Sequence, residues 1–222
     1  MRMPQGISLV AVVVLVAGSS ADAAPPSFSG TLDVEVTAHR GGDAPTVTVA
    51  QKVYVSPAGT RLETEEARGR SLERTIILQL ASAPREMYVL NSTNKTYRVL
   101  SVPQKVSSDQ TTGFRVERLG DEKIAGYSCK HARLSGRNGD AFEVWVANEL
   151  DRGDLAPSPR PGARDWSSAF QALREAGMTG FPLKFARTKS RSGTTSWVVT
   201  KVDTRPVPAG LFEMTGYKRV GG

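Results

Sequence analysis

The chain has 222 residues, with 29 Lys and Arg against 22 Asp and Glu, and one cysteine. A single cysteine excludes an intramolecular disulfide framework. The net charge of +7 is spread along the chain, and its densest runs, Arg68-Gly-Arg70 and Arg187 to Arg191, carry no interleaved aromatics, which argues for solvated faces and against a nucleic-acid partner.

The N-terminus has the three-part pattern of a secretory signal. Arg2 gives a positive start, Ile7 to Ala17 is almost unbroken apolar chain, and Ala21-Asp22-Ala23 offers small residues to a signal peptidase. The apolar run is 11 residues long, against about 20 needed to span a bilayer as a helix. Val16-Ala17-Gly18-Ser19 has serine where a lipidated cysteine would stand. The expectation is a signal peptide over 1–23 and one soluble, exported domain over 24–222, periplasmic or extracellular. The 199 residues that remain are ample for one core.

Most of the remaining chain alternates with period two. Leu32, Val34, Val36 and Ala38 do so first, then Val47, Val49, Val53 and Val55. Ile76, Leu78 and Leu80, Met87 to Leu90 and Thr96 to Val99 read the same way. Such alternation predicts strands with one buried face. Turn residues punctuate them: Gly41-Gly42-Asp43, Ser56 to Gly59, Asn91 to Asn94, Asn138-Gly139 and Ser192-Gly193. Asn-Gly favours a tight hairpin turn, so 127–136 should pair with 141–147, and 181–191 with 194–203. Successive hairpins imply an antiparallel meander. Residues 100–113 read as a polar connection.

Residues 151–163, rich in Pro, Gly and Arg, read as a loop. Asp165 can then cap a helix that Gly177 stops, an insert over about 164–177. Trp166, Ala169, Phe170 and Leu173 share one face. Either the helix simply docks on the sheet, or it also covers one end of a cavity. The fold class is therefore mainly β with a short α insert.

The residues suited to chemistry are few. His39 and His131 are the only histidines. Cys129 and His131 share a strand face but lack the further ligands of a structural zinc site and the orienting group of a nucleophilic pair. Burial makes Cys129 a small hydrophobe; exposure would make it a reactive or intermolecular thiol. Glu63, Glu65 and Glu66 form an acidic stretch whose simplest reading is a solvated face. The expectation is no catalytic residue, no metal and no cofactor. The large aromatics are more telling: Trp145, Trp166, Phe170, Phe181, Phe185 and Trp197 either fill a core or line an apolar cavity.

Three stretches form a recognisable order. Residues 120–134 read GDEKIAGYSCKHARL, followed by FEVWVANEL; residues 180–185 read GFPLKF; and the end reads TKVDTRPVPAGLFEMTGY. This order resembles the secreted bacterial family known as domain of unknown function 4412, through Gly126, Tyr127, Cys129, Pro182, Leu183, Phe212, Gly216 and Tyr217. That family is similar in architecture to the LolA/LolB lipoprotein-carrier group. The resemblance implies an incomplete antiparallel β-barrel, closed by helix, around an apolar interior. It transfers no functional residue. Two functions stay open: a module binding a lipid or other apolar ligand, and an envelope protein with a filled core that meets an anionic membrane surface or a protein partner.

Overall fold

The computed structural model describes residues 14–17, 28–39, 46–68, 71–101, 114–136, 139, 141–150, 155–158, 165–189 and 193–221. Their strands are β1 (Val14–Ala17), β2 (Gly30–His39), β3 (Val47–Ser56), β4 (Gly59–Arg68), β5 (Ser71–Leu80), β6 (Glu86–Asn91) and β7 (Thr96–Ser101). The second half adds β8 (Phe114–Ile124), β9 (Tyr127–Gly136), β10 (Ala141–Ala147), β11 (Leu155–Ser158), β12 (Phe181–Lys189), β13 (Thr194–Asp203) and β14 (Lys218–Arg219). One α-helix, α1 (Asp165–Glu175), lies between β11 and β12.

Twelve strands form one curved, open sheet in the order β14-β7-β6-β5-β4-β3-β2-β13-β12-β10-β9-β8. Two antiparallel meanders meet where β13 pairs with β2, Trp197 opposite Val36. Among the described strands only β14 runs parallel to its neighbour, β7. The meander is the one hairpin chemistry predicts, and its curvature gives the incomplete barrel that the family resemblance implies. The predicted pairings hold in register: Phe142 faces Leu134, and Phe185 faces Trp197. The β8–β9 hairpin closes with Ala125 and Gly126, both at positive φ (49° and 89°), the two-residue turn whose twist matches that of the strands.

One segment departs from its sequence reading. Residues 155–158, within the stretch expected to be a loop, form β11, which pairs antiparallel with β1 in a separate two-stranded sheet. Val14–Ala17 is a β-rich apolar run, and a second short extended segment satisfies its backbone groups. The Gly41-Gly42-Asp43 turn and most of the 100–113 connection lie outside the described residues.

The sheet is covered on both faces, unequally. Along β2, Leu32, Val34 and Val36 are buried, at 0%, 3% and 2% exposure. Their cross-strand partners continue an inner core through Val53, Leu62 and Ile77 on one side and Trp197, Phe185, Val144 and Ala132 on the other. The Phe114, Phe142 and Phe185 rings follow one another at 5.7 and 5.5 Å, spacings that add favourable edge and tilt contacts to plain burial. The outer face of β4 to β7 has its own small core, Ile76, Leu78, Tyr88 and Leu90, under Phe212. Leu211, Met214 and Tyr217 complete that cover, so the C-terminal segment wraps the back of the sheet.

Candidate functional site

The inner face is the largest continuous apolar surface described. Trp197 and Phe181 are wholly buried there, and Phe185 is 5% exposed. Phe181 also meets the Phe28 ring at 6.0 Å. Helix α1 adds buried Ala169 and Leu173, and ends where Gly177 (φ +70°) lets the amide of Met178 reach back to the Leu173 carbonyl at 2.9 Å. Arg118 of β8 donates to the Ala176 carbonyl, tying the helix end to the edge strand. The side chains of Trp166 and Phe170 lie outside the described residues.

Of the aromatics singled out from the sequence, Trp145, Phe181, Phe185 and Trp197 are described, and all four are buried members of one core cluster, with Trp145 at its edge. Register puts Trp145 opposite His131 and Lys184, on the face away from Val144 and Phe185. There its indole is sandwiched: the His131 ring stacks at 4.0 Å and 10°, and the Lys184 ammonium sits 3.9 Å from the ring centre. Its N–H donates to Glu122, which also faces Lys184 at 3.8 Å. Trp145 is 4% exposed because polar side chains pack over it. The sequence reading missed this cluster; hairpin pairing brings His131 and Trp145 opposite each other, but Lys184 and Glu122 come from other strands.

Cys129 and His131 are engaged separately. The thiol is buried, its sulfur 3.7 Å from the Tyr127 carbonyl, and burial pushes its pKa up to about 11. His131 turns to Trp145 and places Nε2 3.3 Å from Glu143, whose other oxygen accepts from Arg133 at 2.9 Å. Glu143 is held below the usual carboxylate range: the hydrogen bonds from Arg133 and His131 outweigh the upward push of partial burial. Among the described residues no group of three or more metal-type side chains converges.

The acidic stretch is a correction. Glu65 is exposed, as a solvated face requires, but Glu63 is 5% exposed. Arg61 Nε donates to it at 2.7 Å and Arg74 donates to its second oxygen. Arg61 also donates to the Leu211 carbonyl at 2.8 Å, so the buried carboxylate anchors the C-terminal wrap. Beside it lies an outer polar groove of about 410 Å³, lined by Asp33, Glu35, Lys52, Tyr54, Glu63 and Arg74 among others. Burial and the Glu63 charge together push the Tyr54 phenol above its usual pKa.

The motif residues quoted for the family resemblance fall at turns and in cores. Gly126 makes the β8–β9 turn with Ala125, Tyr127 opens β9 opposite Ile124, Pro182 stands opposite Val146, and Cys129 and Leu183 have no exposed surface. Phe212 caps the outer core, Gly216 has φ +83°, and Tyr217 leans on that core under the Lys95 ammonium, 5.1 Å from its ring.

No helix among the described residues is long and apolar enough to cross a membrane. No curated protein matches the chain. Solved structures resemble it at low identity. An uncharacterized conserved protein from Thermus thermophilus is 10% identical over 87% of this chain and 90% of its own, with a TM-score of 0.48. The Pseudomonas aeruginosa MucA/MucB complex is 10% identical over 85% of this chain and 56% of its own, at 0.46. A domain described as an outer membrane lipoprotein-sorting protein from Vibrio parahaemolyticus is 10% identical over 84% and 89%, at 0.37. The family profile of the Domain of unknown function DUF4412 matches residues 28–216, nearly the whole described domain, and the chain belongs to that family.

Proposed function

We propose that this chain is an exported, non-catalytic binding protein whose half-barrel interior takes an apolar, lipid-like ligand. One observation carries the reading: the inner face is far wider than the single α-helix described over it. Twelve strands at about 4.8 Å spacing span roughly 50 Å. An 11-residue helix is about 16 Å long. The aromatics Phe142, Phe185 and Trp197 lie along that face, and the one further described sheet, the β1–β11 pair, is only two strands wide and packs against β4, β5 and α1. Burying eight methylenes of an acyl chain contributes about 6 kcal/mol, enough for a dissociation constant near tens of micromolar without any polar contact. The short apolar run at the N-terminus supports export.

The test is native mass spectrometry of the exported protein after gentle extraction, with displacement of a fluorescent fatty acid. The reading expects a co-purifying lipid-mass adduct and saturable displacement. Absence of both overturns it.

A second reading has its own support. Trp197, Phe181, Leu32 and Leu183 have no exposed surface, as in a filled core. With a net charge of +7, such a protein would act through its exterior on anionic surfaces. Salt-sensitive retention on anionic vesicles, with no lipid adduct, would decide for it.

A further inference from the structure

The inner face is mostly apolar, with a few buried polar side chains on β3 to β5, among them Gln51, Thr60, Thr64 and Gln79. Gln51 lies on β3 between Val49 and Val53 on the inward side, opposite Val34 of β2 and Thr64 of β4. It is 4% exposed, and neither its amide oxygen nor its amide nitrogen has a hydrogen-bond partner. On the same face Trp197 has no exposed surface, and its indole N–H is also unpartnered. Two strand spacings and two residues along the strand separate them, about 12 Å between backbones. A buried amide without partners is costly in any fold, and native proteins satisfy nearly all such groups. Two orphans on one apolar face therefore point to something that completes them.

We propose that Gln51, with Trp197 as a second donor, is the inner-face anchor for an uncharged polar group carried by an otherwise apolar ligand. An ester, amide or hydroxyl is the class that fits. Gln51 can both donate and accept, and Trp197 can donate. An ionised head group does not fit. The described neighbours Val34, Val53 and Thr64 carry no charge, and a buried carboxylate needs a counter-ion. The described cation on the inner face, Arg187, lies three strands away on β12, with its guanidinium over the Phe142 ring. This inference rests on the apolar-ligand reading and deepens it.

The experiment compares the exported protein and its Gln51→Leu variant with three probes of matched chain: oleamide, oleate and a hydrocarbon of equal length. The wild type should bind oleamide more tightly than oleate at pH 8. Gln51→Leu should weaken oleamide about tenfold, leave the hydrocarbon within twofold, and raise the urea midpoint by removing an orphaned amide. Oleamide binding unchanged in the variant overturns the proposal, as it would if an ordered water satisfies Gln51. Hydrocarbon binding with no head-group preference sinks the anchor alone. If no probe binds the wild type, the apolar-ligand reading and the anchor both fall.

Discussion

Glu63→Gln tests whether the buried carboxylate holds the back of the sheet together. The substitution keeps the shape and removes the charge. Arg61 would then keep its cation, with a side chain only 10% exposed, beside a neutral amide. Arg74, 45% exposed, can rehydrate; Arg61 cannot. Breaking a buried pair by removing one partner costs about 3–5 kcal/mol, and the freedom of Arg74 puts the value near the lower end, about 3 kcal/mol. With a urea slope near 2 kcal/mol/M, the unfolding midpoint should fall by about 1.5 M, read by far-ultraviolet circular dichroism. Because Arg61 also holds the Leu211 carbonyl, amide exchange in the C-terminal wrap should quicken first. A double variant, Arg61→Met with Glu63→Leu, should recover most of the lost stability, since an apolar pair of similar volume needs no counter-ion. A midpoint shift below about 0.5 M for Glu63→Gln, with exchange in 207–217 unchanged, refutes the reasoning.

Three other outcomes follow from the same structure. Cys129, with its pKa pushed up to about 11 by burial, should resist thiol reagents at pH 8 in the folded protein and label fully in denaturant; rapid native labelling would contradict its placement. Gly180→Ala should destabilise by about 3 kcal/mol, a melting shift of roughly 6–12 °C, because its Cβ would stand 2.4 Å from the Ala147 carbonyl at φ +124°; Gly126→Ala, where nothing lies within 4 Å, should cost only about 1 kcal/mol for its backbone angle. Asp203, held down to about 2 chiefly by its hydrogen bond from the Arg205 side chain, is stabilising above the ordinary carboxylate pKa near 3.8, and that contribution is lost as pH falls through 2; in Arg205→Ala an NMR titration should return it towards 3.8, and an unmoved value would disprove the pairing.

Period-two alternation and turn residues were enough to read the strands and their hairpin partners. Val34 and Val36, then Phe185 and Trp197, announce a common face because cross-strand register follows from the turns. Alternation does not tell which of two faces a distant segment covers. Glu63 looks solvated on its own strand and becomes buried only because residues 207–217 return over it from far along the chain. One signal was present: Ile76, Ile77 and Leu78 are consecutive and apolar, which marks β5 as covered on both sides. Trp145 misleads for a related reason. A large ring reads as core, and Trp145 does belong to the core cluster, but its other side is closed by His131 and Lys184 through stacking and a cation contact that composition cannot reveal. The orphaned Gln51 was equally hidden, since a polar residue inside an alternating strand looks like a register error until its neighbours are known.

The wrap also fixes an order of events in time. Arg61 and Leu211 stand 150 positions apart, so a growing polypeptide completes β4 to β7 long before their back cover has been synthesised. Until then Ile76, Leu78, Tyr88 and Leu90 stay bare, and a chain ending before Phe212 keeps them so. Prematurely terminated products should therefore be sticky and depend on chaperones, and a fusion partner belongs where it leaves those last residues free to dock.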